Sequence, residues 1–347
     1  MKNMDIEKFQ ELLMIPSPSG NEENIIKKME EYLRAYVNDV QIDSYGNLIA
    51  VKKGISEKKL MLVAHADEVG MMVTFIDDKG FVYFQEIGGV DTNLLPGQRV
   101  EIHNHRGVVV GVIGKKPIHL QDREAKNKDF SAEDLWIDIA ASCDKEAVEM
   151  VEVGDYITFQ TQPTCLNNSI WMSKALDDKV GLFTLLEVAK SLSSKQTAME
   201  IDFVVSVQEE LGARGVRTAA FEKQPDYGIA IDVTHATDYP TCTPQKRGEI
   251  KLGDGVVIAK GPNINQHIGR KLIDLAVRTG VKHQIEPIAC PTGTDANFMQ
   301  VSGHGVKTAL LSNPCRYMHS PNEMVSLSDV KECVKLLTNL CEVGIDN

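Results

Sequence analysis

Leu60-Met61-Leu62-Val63-Ala64-His65-Ala66-Asp67 is the stretch from which the chain is best read. Five apolar residues in succession leave no polar face. Such a run fits a strand buried on both sides, as in a parallel sheet covered by helices. The run then delivers a histidine and, two residues on, a carboxylate. Three further runs end in the same way. IDFVVSV (201–207) is followed by Gln208 and then Glu209-Glu210. YGIAI (227–231) is followed by Asp232. VKTALL (306–311) is followed, after a short loop, by His319. Helical spacing fills the intervals. Ile6, Phe9, Leu12 and Leu13 share one face, as do Ile25, Ile26, Met29, Leu33 and Tyr36. Helices are also predicted over 180–192, 213–221, 264–277 and 327–343. Strand and helix alternating in this way predict an α/β fold, a mostly parallel sheet flanked by helices on both faces.

Residues 68–163 have a different texture. Short alternating segments, MMVTFID, FVYFQEI, RVEIHNH and GVVVGVIG, are separated by turns such as Asp78-Lys79-Gly80 and His105-Arg106-Gly107. This predicts a small β domain inserted between residues 1–67 and 164–347. Periodicity leaves open that these strands extend the main sheet instead.

The chain has 347 residues, 37 Lys+Arg against 49 Asp+Glu, and a formal charge of −12. That balance argues against nucleic acid as a partner, because a phosphate backbone requires a basic face. No apolar run approaches the ~20 residues that span a bilayer, so no membrane partner is expected. The opening MKNMDIEKFQELLM lacks the apolar segment of a signal peptide. Seven cysteines at wide spacing, with no C-x-x-C, fit reduced thiols in a cytoplasmic protein, most of them as small core residues.

In an open α/β sheet, ligands bind beyond the carboxyl ends of the strands. Four exits that each bring a His or a carboxylate predict a metal site there. In His65-x-Asp67, the acid can orient the imidazole through the ring nitrogen that does not bind metal. Asp177-Asp178 precedes the helix beginning near Val180. On residue chemistry alone a capping role is the simpler reading, and the alternative is that Asp177 spans two cations while Asp178 caps or orients. Glu209-Glu210 places two like charges side by side, which is costly unless a cation or proton intervenes. One can ligate while the other accepts a proton from water. His235 is an alternative ligand to Asp232, with a loop role favoured. His103, His105, His119, His267, His283 and His304 are read as structural or exposed. Three carboxylates (Asp177, Glu210, Asp232) and two neutral imidazoles (His65, His319) against two divalent ions leave one positive charge, which a hydroxide would neutralise. That donor set suits two zinc or cobalt ions.

Six ordered motifs, VAHADEVG (63–70), SKALDDKVG (173–181), VQEELGARG (207–215), AIDVTHATDYP (230–240), PTGTDANFMQ (291–300) and NPCRYMHSPNEMV (313–325), resemble the TET-type dinuclear metallo-aminopeptidases. That family includes glutamyl and deblocking aminopeptidases, FrvX-like proteins and some members labelled "cellulase M". The likeness runs over nearly the whole chain. It implies a catalytic domain like those of zinc exopeptidases, with a mixed, mostly parallel sheet, interrupted by a β-barrel-like insert that serves assembly. It further implies that His65 and Asp232 bind one metal, Glu210 and His319 the other, and that Asp177 bridges them. Glu209 would be the general base and Asp67 the residue that orients His65. Thr292 departs from the glycine that many relatives carry, which bears on the substrate loop. The implied protein is an aminopeptidase acting on peptides and forming a homo-oligomer of dimers, possibly a dodecamer. A glycoside hydrolase and a non-catalytic metal-binding scaffold are the alternatives.

Overall fold

The structure, a computed structural model, describes residues 4–117, 119–120, 131–167 and 169–346. Positions 118 and 121–130 of the expected insert lie outside them. Among the described residues the chain builds a mixed eleven-stranded sheet flanked by helices and, separately, a closed six-stranded barrel. Glu200–Ser206, Lys59–His65, Tyr227–His235 and Lys307–Arg316 lie side by side in that order, all parallel. They grow from the four apolar runs and are buried along nearly their whole length. Further strands flank these four, among them Leu48–Lys52, antiparallel beyond Glu200–Ser206, and Glu323–Ser326 and then Ile170–Ser173 beyond Lys307–Arg316, each antiparallel to its neighbour.

Parallel strands end at one edge, and the register aligns those ends. Ser206 stands opposite His65, and Asp232 opposite Ser312. Two residues beyond the Ala230–Val63 pair come Asp232 and His65, so both side chains point to the same face. Two strands run further than their apolar runs, to His235 and Arg316 rather than to Ile231 and Leu311. The extensions carry Asp232, Asn313 and Pro314, whose polar or imino character interrupts the pattern but not the pairing.

The helix Leu176–Leu192 is buried on almost every side. It lies against the sheet and under the helices Ile6–Met14, Glu23–Leu33 and Leu327–Val343. Its first turn is irregular, with Asp177 and Asp178 outside helical backbone angles, so the regular helix starts at Lys179. The second helix stops at Leu33, short of Tyr36, which packs half-buried against the core. Asn265 caps Gln266–Thr279 by accepting the N–H groups of His267 and Ile268 at 3.1 and 3.3 Å. Of the seven free cysteines only Cys315, Cys333 and Cys341 are buried. The expectation that most are core residues fails: Cys143, Cys242 and Cys290 lie on loops or at an element end, and Cys165 lies in the exposed strand Thr164–Asn167.

The barrel comprises Gly70–Ile76, Val82–Ile87, Arg99–Asn104, Gly107–Gly114, Trp136–Asp138 and Tyr156–Phe159, which pair with one another and not with the large sheet. It encloses its own core, including Met71, Phe84, Val100, Ile137 and Phe159. The alternation that suggests strands arises from inward and outward faces of this closed sheet.

A buried ion cluster joins the points where the chain leaves for the barrel and returns. Glu68, which follows Asp67, meets Lys174 at 2.5 Å and Lys179 at 2.8 Å, and all three are buried. Glu68 also accepts the N–H of Ser17 at 2.9 Å, while the Lys179 ammonium donates to the Ile15 carbonyl at 2.6 Å. Burial alone would raise the Glu68 carboxyl, but the two ammonium groups outweigh it and hold it down to about 2. A depressed carboxyl stabilises the fold above its ordinary value of 4.5, and that contribution disappears as the pH falls through about 2. Glu68→Gln leaves two buried ammonium groups without their anion and should cost ~3–5 kcal/mol at neutral pH. Urea unfolding should show that deficit shrinking between pH 4.5 and about pH 2; a deficit constant across this window would show that the carboxylate charge is not what stabilises the junction.

Candidate metal centre

The aligned strand ends bring five of the sequence-selected residues together. One ligand atom from each of His65, Asp177 and Asp232 lies within 4.8 Å of the others, and the same is true of Asp177, Glu210 and His319. Asp177 belongs to both triads and faces them with different oxygens. Its Oδ1 lies 3.0 Å from His65 Nε2, and its Oδ2 lies 3.3 Å from His319 Nε2. Asp232 Oδ1 is 4.0 Å from His65 Nε2, and Glu210 Oε1 is 3.1 Å from His319 Nε2. His235 is exposed at the end of its strand and belongs to neither triad. Each triad offers one imidazole nitrogen and two carboxylates, a set that can hold a zinc- or cobalt-class divalent cation.

Both imidazoles are orientated through Nδ1. In His65 that nitrogen lies 3.1 Å from the main-chain carbonyl of Asp67 and 3.4 Å from its carboxylate. The carbonyl cannot donate, so Nδ1 carries the proton and Nε2 faces the cluster. In His319, Nδ1 lies 2.9 Å from the carbonyl of Gly89, which fixes the same tautomer. The Asp67 carboxylate is engaged elsewhere as well. It accepts the Ser19 hydroxyl at 2.5 Å and the backbone N–H groups of Glu209 and Glu210 at 2.9 and 3.0 Å. Asp67 thus ties the exit of one strand to the acidic pair at the exit of its neighbour.

Asp178 lies behind the cluster. It accepts the N–H of Gly181 at 3.1 Å and that of His65 at 3.3 Å, so it both caps the helix and holds the strand end. Gly181 must lack a side chain, since a Cβ there would land on the Asp178 carboxylate. Glu323 is the support that the sequence did not mark. Its two oxygens accept the N–H groups of Asp177 and His319, at 2.9 and 2.8 Å. Its only signal in the sequence is its place four residues after His319. Asp295 lies close by, accepting the Ser206 hydroxyl at 2.5 Å. Thr292 is buried and bonds to Asn263 and Thr294, so it shapes the PTGTD loop from within.

The electrostatics are those of a crowd of buried anions. Burial raises the carboxyls of Asp178, Glu209 and Asp232 well above the usual range and that of Glu210 above it. Burial likewise lifts Glu323 to about 8 and Asp295 to about 6. Burial opposes the charge on His319, but its bonds to Asp177 and Glu210 carry it up to about 11. His65 is raised well above its usual value, burial being outweighed by Asp177 and Asp67. Asp177 is the exception: burial opposes its charge, but its bonds to His319 and His65 hold its carboxyl well below the usual range. The remaining carboxyls of the cluster are short of positive charge. A divalent cation held by these donors would answer that demand.

The M42 glutamyl aminopeptidase family matches residues 46–336 of this chain. The lysyl aminopeptidase of Pyrococcus furiosus is 37% identical over 345 residues, covering 98% of this chain and 97% of the relative. Among solved structures, the TET1 peptidase of Pyrococcus horikoshii, which can assemble into a tetrahedron or a large octahedral shell, superposes with a TM-score of 0.87 at 33% identity, covering 98% of this chain and 99% of the other. A Thermotoga maritima protein named an endoglucanase superposes with a TM-score of 0.79 at 31% identity, covering 96% of each chain. The likeness extends along the whole catalytic body and through the barrel, and the chain belongs to the M42 glutamyl aminopeptidase family, as a metal-dependent aminopeptidase.

Proposed function

We propose that this enzyme removes single residues from the free N-terminus of peptides at a pair of zinc or cobalt ions. His65 and Asp232 would hold one ion, Glu210 and His319 the other, and Asp177 would bridge. The observation that carries the reading is the sharing of Asp177 between two triads, with Glu209 beside them and in neither. Two such ions would supply Lewis acidity for the scissile carbonyl and lower the pKa of an attacking water. The Glu209 carboxylate would accept a proton from water and return it to the leaving amine. Asp67 supports this by holding the backbone of Glu209 through its carboxylate. Glu209, whose charge lies outside the balance between the two ions and their ligands, would draw in the ammonium of the peptide N-terminus. Glu209 next to Glu210 serves better as base and ligand than as a pair of carboxyls facing each other across a glycosidic bond. An active base also has no purpose in a scaffold. The barrel is proposed as the assembly domain of a homo-oligomer, built from dimers and possibly reaching a dodecamer. The compartment is proposed to be the cytoplasm. Among the described residues no helix is long and apolar enough to cross a membrane.

Glu209→Gln should retain its metal content and lose turnover by about 10²–10⁴-fold, because an amide cannot accept the proton. Metal analysis beside kcat tests this; near-normal kcat would remove Glu209 from the role of base. Short peptides with a free N-terminus should release residues one at a time, whereas their N-acetylated counterparts and carboxymethyl-cellulose should not react. Equal cleavage of the acetylated peptides would contradict the need for a free amine.

A further inference from the structure

The inserted barrel reaches into the metal centre. Its strand Val82–Ile87 leads into Gly88 and Gly89, and these two residues lie directly against Glu210 and His319. A Cβ on Gly88 would stand 3.3 Å from Glu210 Cβ and Oε2 and 2.9 Å from a Val69 methyl, and the backbone there has a positive φ of +77°. A Cβ on Gly89 would stand 3.0 Å from His319 Nδ1 and 3.4 Å from Cε1, with no other atom within 4 Å. The loop therefore approaches as closely as it does because it carries no side chains.

The two histidines differ in how they are held. His65 is 2% exposed and takes its Nδ1 partner from the end of its own strand, inside the catalytic body. The His319 side chain is 28% exposed. Its backbone is fixed by Glu323, but its Nδ1 partner, the Gly89 carbonyl at 2.9 Å, comes from the barrel. A half-open imidazole without that acceptor could turn, or present Nδ1 instead of Nε2 to the cluster.

We propose that Gly89 is a positioning residue of the metal centre. Its main-chain carbonyl holds His319 as the Nδ1–H tautomer and leaves Nε2 for the cation shared with Glu210 and Asp177. The His65 half of the centre is self-contained, while the His319 half is completed by the barrel. The barrel is thus part of the active centre in addition to any role in assembly. This inference rests on the dinuclear reading above.

Gly89→Ala tests it cleanly, since the residue is not in the left-handed region and the new methyl meets His319 alone. The protein is stripped of metal and titrated with Co²⁺, followed by its visible bands and by calorimetry. Wild type should take up two ions. Gly89→Ala should bind one ion with unchanged affinity and the other about 10–100-fold more weakly, the usual effect of disturbing a histidine's outer partner. Circular dichroism and thermal unfolding should be unchanged. Independently, magic-angle-spinning NMR of metal-loaded, ¹⁵N-histidine-labelled wild type should show a protonated Nδ1 for His319, assigned by its absence in His319→Gln. Two undisturbed cobalt affinities in Gly89→Ala, or an unprotonated Nδ1, would overturn the proposal. If the variant does not fold, the nitrogen spectrum of the wild type decides alone. A wild type that binds one cobalt would overturn the dinuclear reading, and the nitrogen spectrum would still decide the role of Gly89.

Discussion

Like-charge crowding at the end of a parallel sheet is the constraint on which the rest depends. Asp177, Asp178, Glu209, Glu210, Asp232 and Glu323 converge with two imidazoles as their main positive partners. A fold that gathers so much negative charge away from water loses stability unless something offsets it. The supports around the cluster share this purpose. Asp67 accepts backbone N–H groups, Asp178 caps a helix, and Glu323 holds two main chains in place. Each fixes donor geometry in advance, so a bound cation would meet atoms that need little movement.

The architecture serves that arrangement at a distance. The parallel register brings His65 and Asp232 to one face, and the irregular first turn of Leu176–Leu192 places Asp177 between them and His319. The barrel is attached at the most sensitive point, between Asp67 and the strand that precedes Asp177. Glu68, Lys174 and Lys179 lock that junction with buried charge. An insertion there could disturb the centre if the junction were loose. Here it also contributes a carbonyl to it.

Much of this was legible in the sequence. The apolar runs marked the central strands because a strand covered on both faces can carry few polar residues. The groups that follow those runs marked the site, because they are the first residues free of that restriction. Asp177 was ambiguous on its own terms, since a helix cap and a bridging ligand require the same residue at the same place. The strand extensions to His235 and Arg316 were hidden by Asp232, Asn313 and Pro314, which obey the site rather than the core. Glu323 and the glycine pair at 88–89 were not legible. A buried acid that holds backbone N–H groups resembles any loop acid, and Gly88-Gly89 reads as an ordinary turn until the chain is folded onto His319. Lys179 is fully buried beside Glu68, and nothing in the sequence distinguishes it from any lysine at a helix start.

The central claim is that one carboxylate, Asp177, joins two cation sites. A crystal structure of the enzyme prepared without chelators, with diffraction recorded on both sides of the zinc absorption edge, tests it most directly. The account predicts two anomalous peaks per chain, one at each oxygen of Asp177, the first completed by His65 and Asp232 and the second by Glu210 and His319. A single peak, or a second peak away from Asp177, would contradict it.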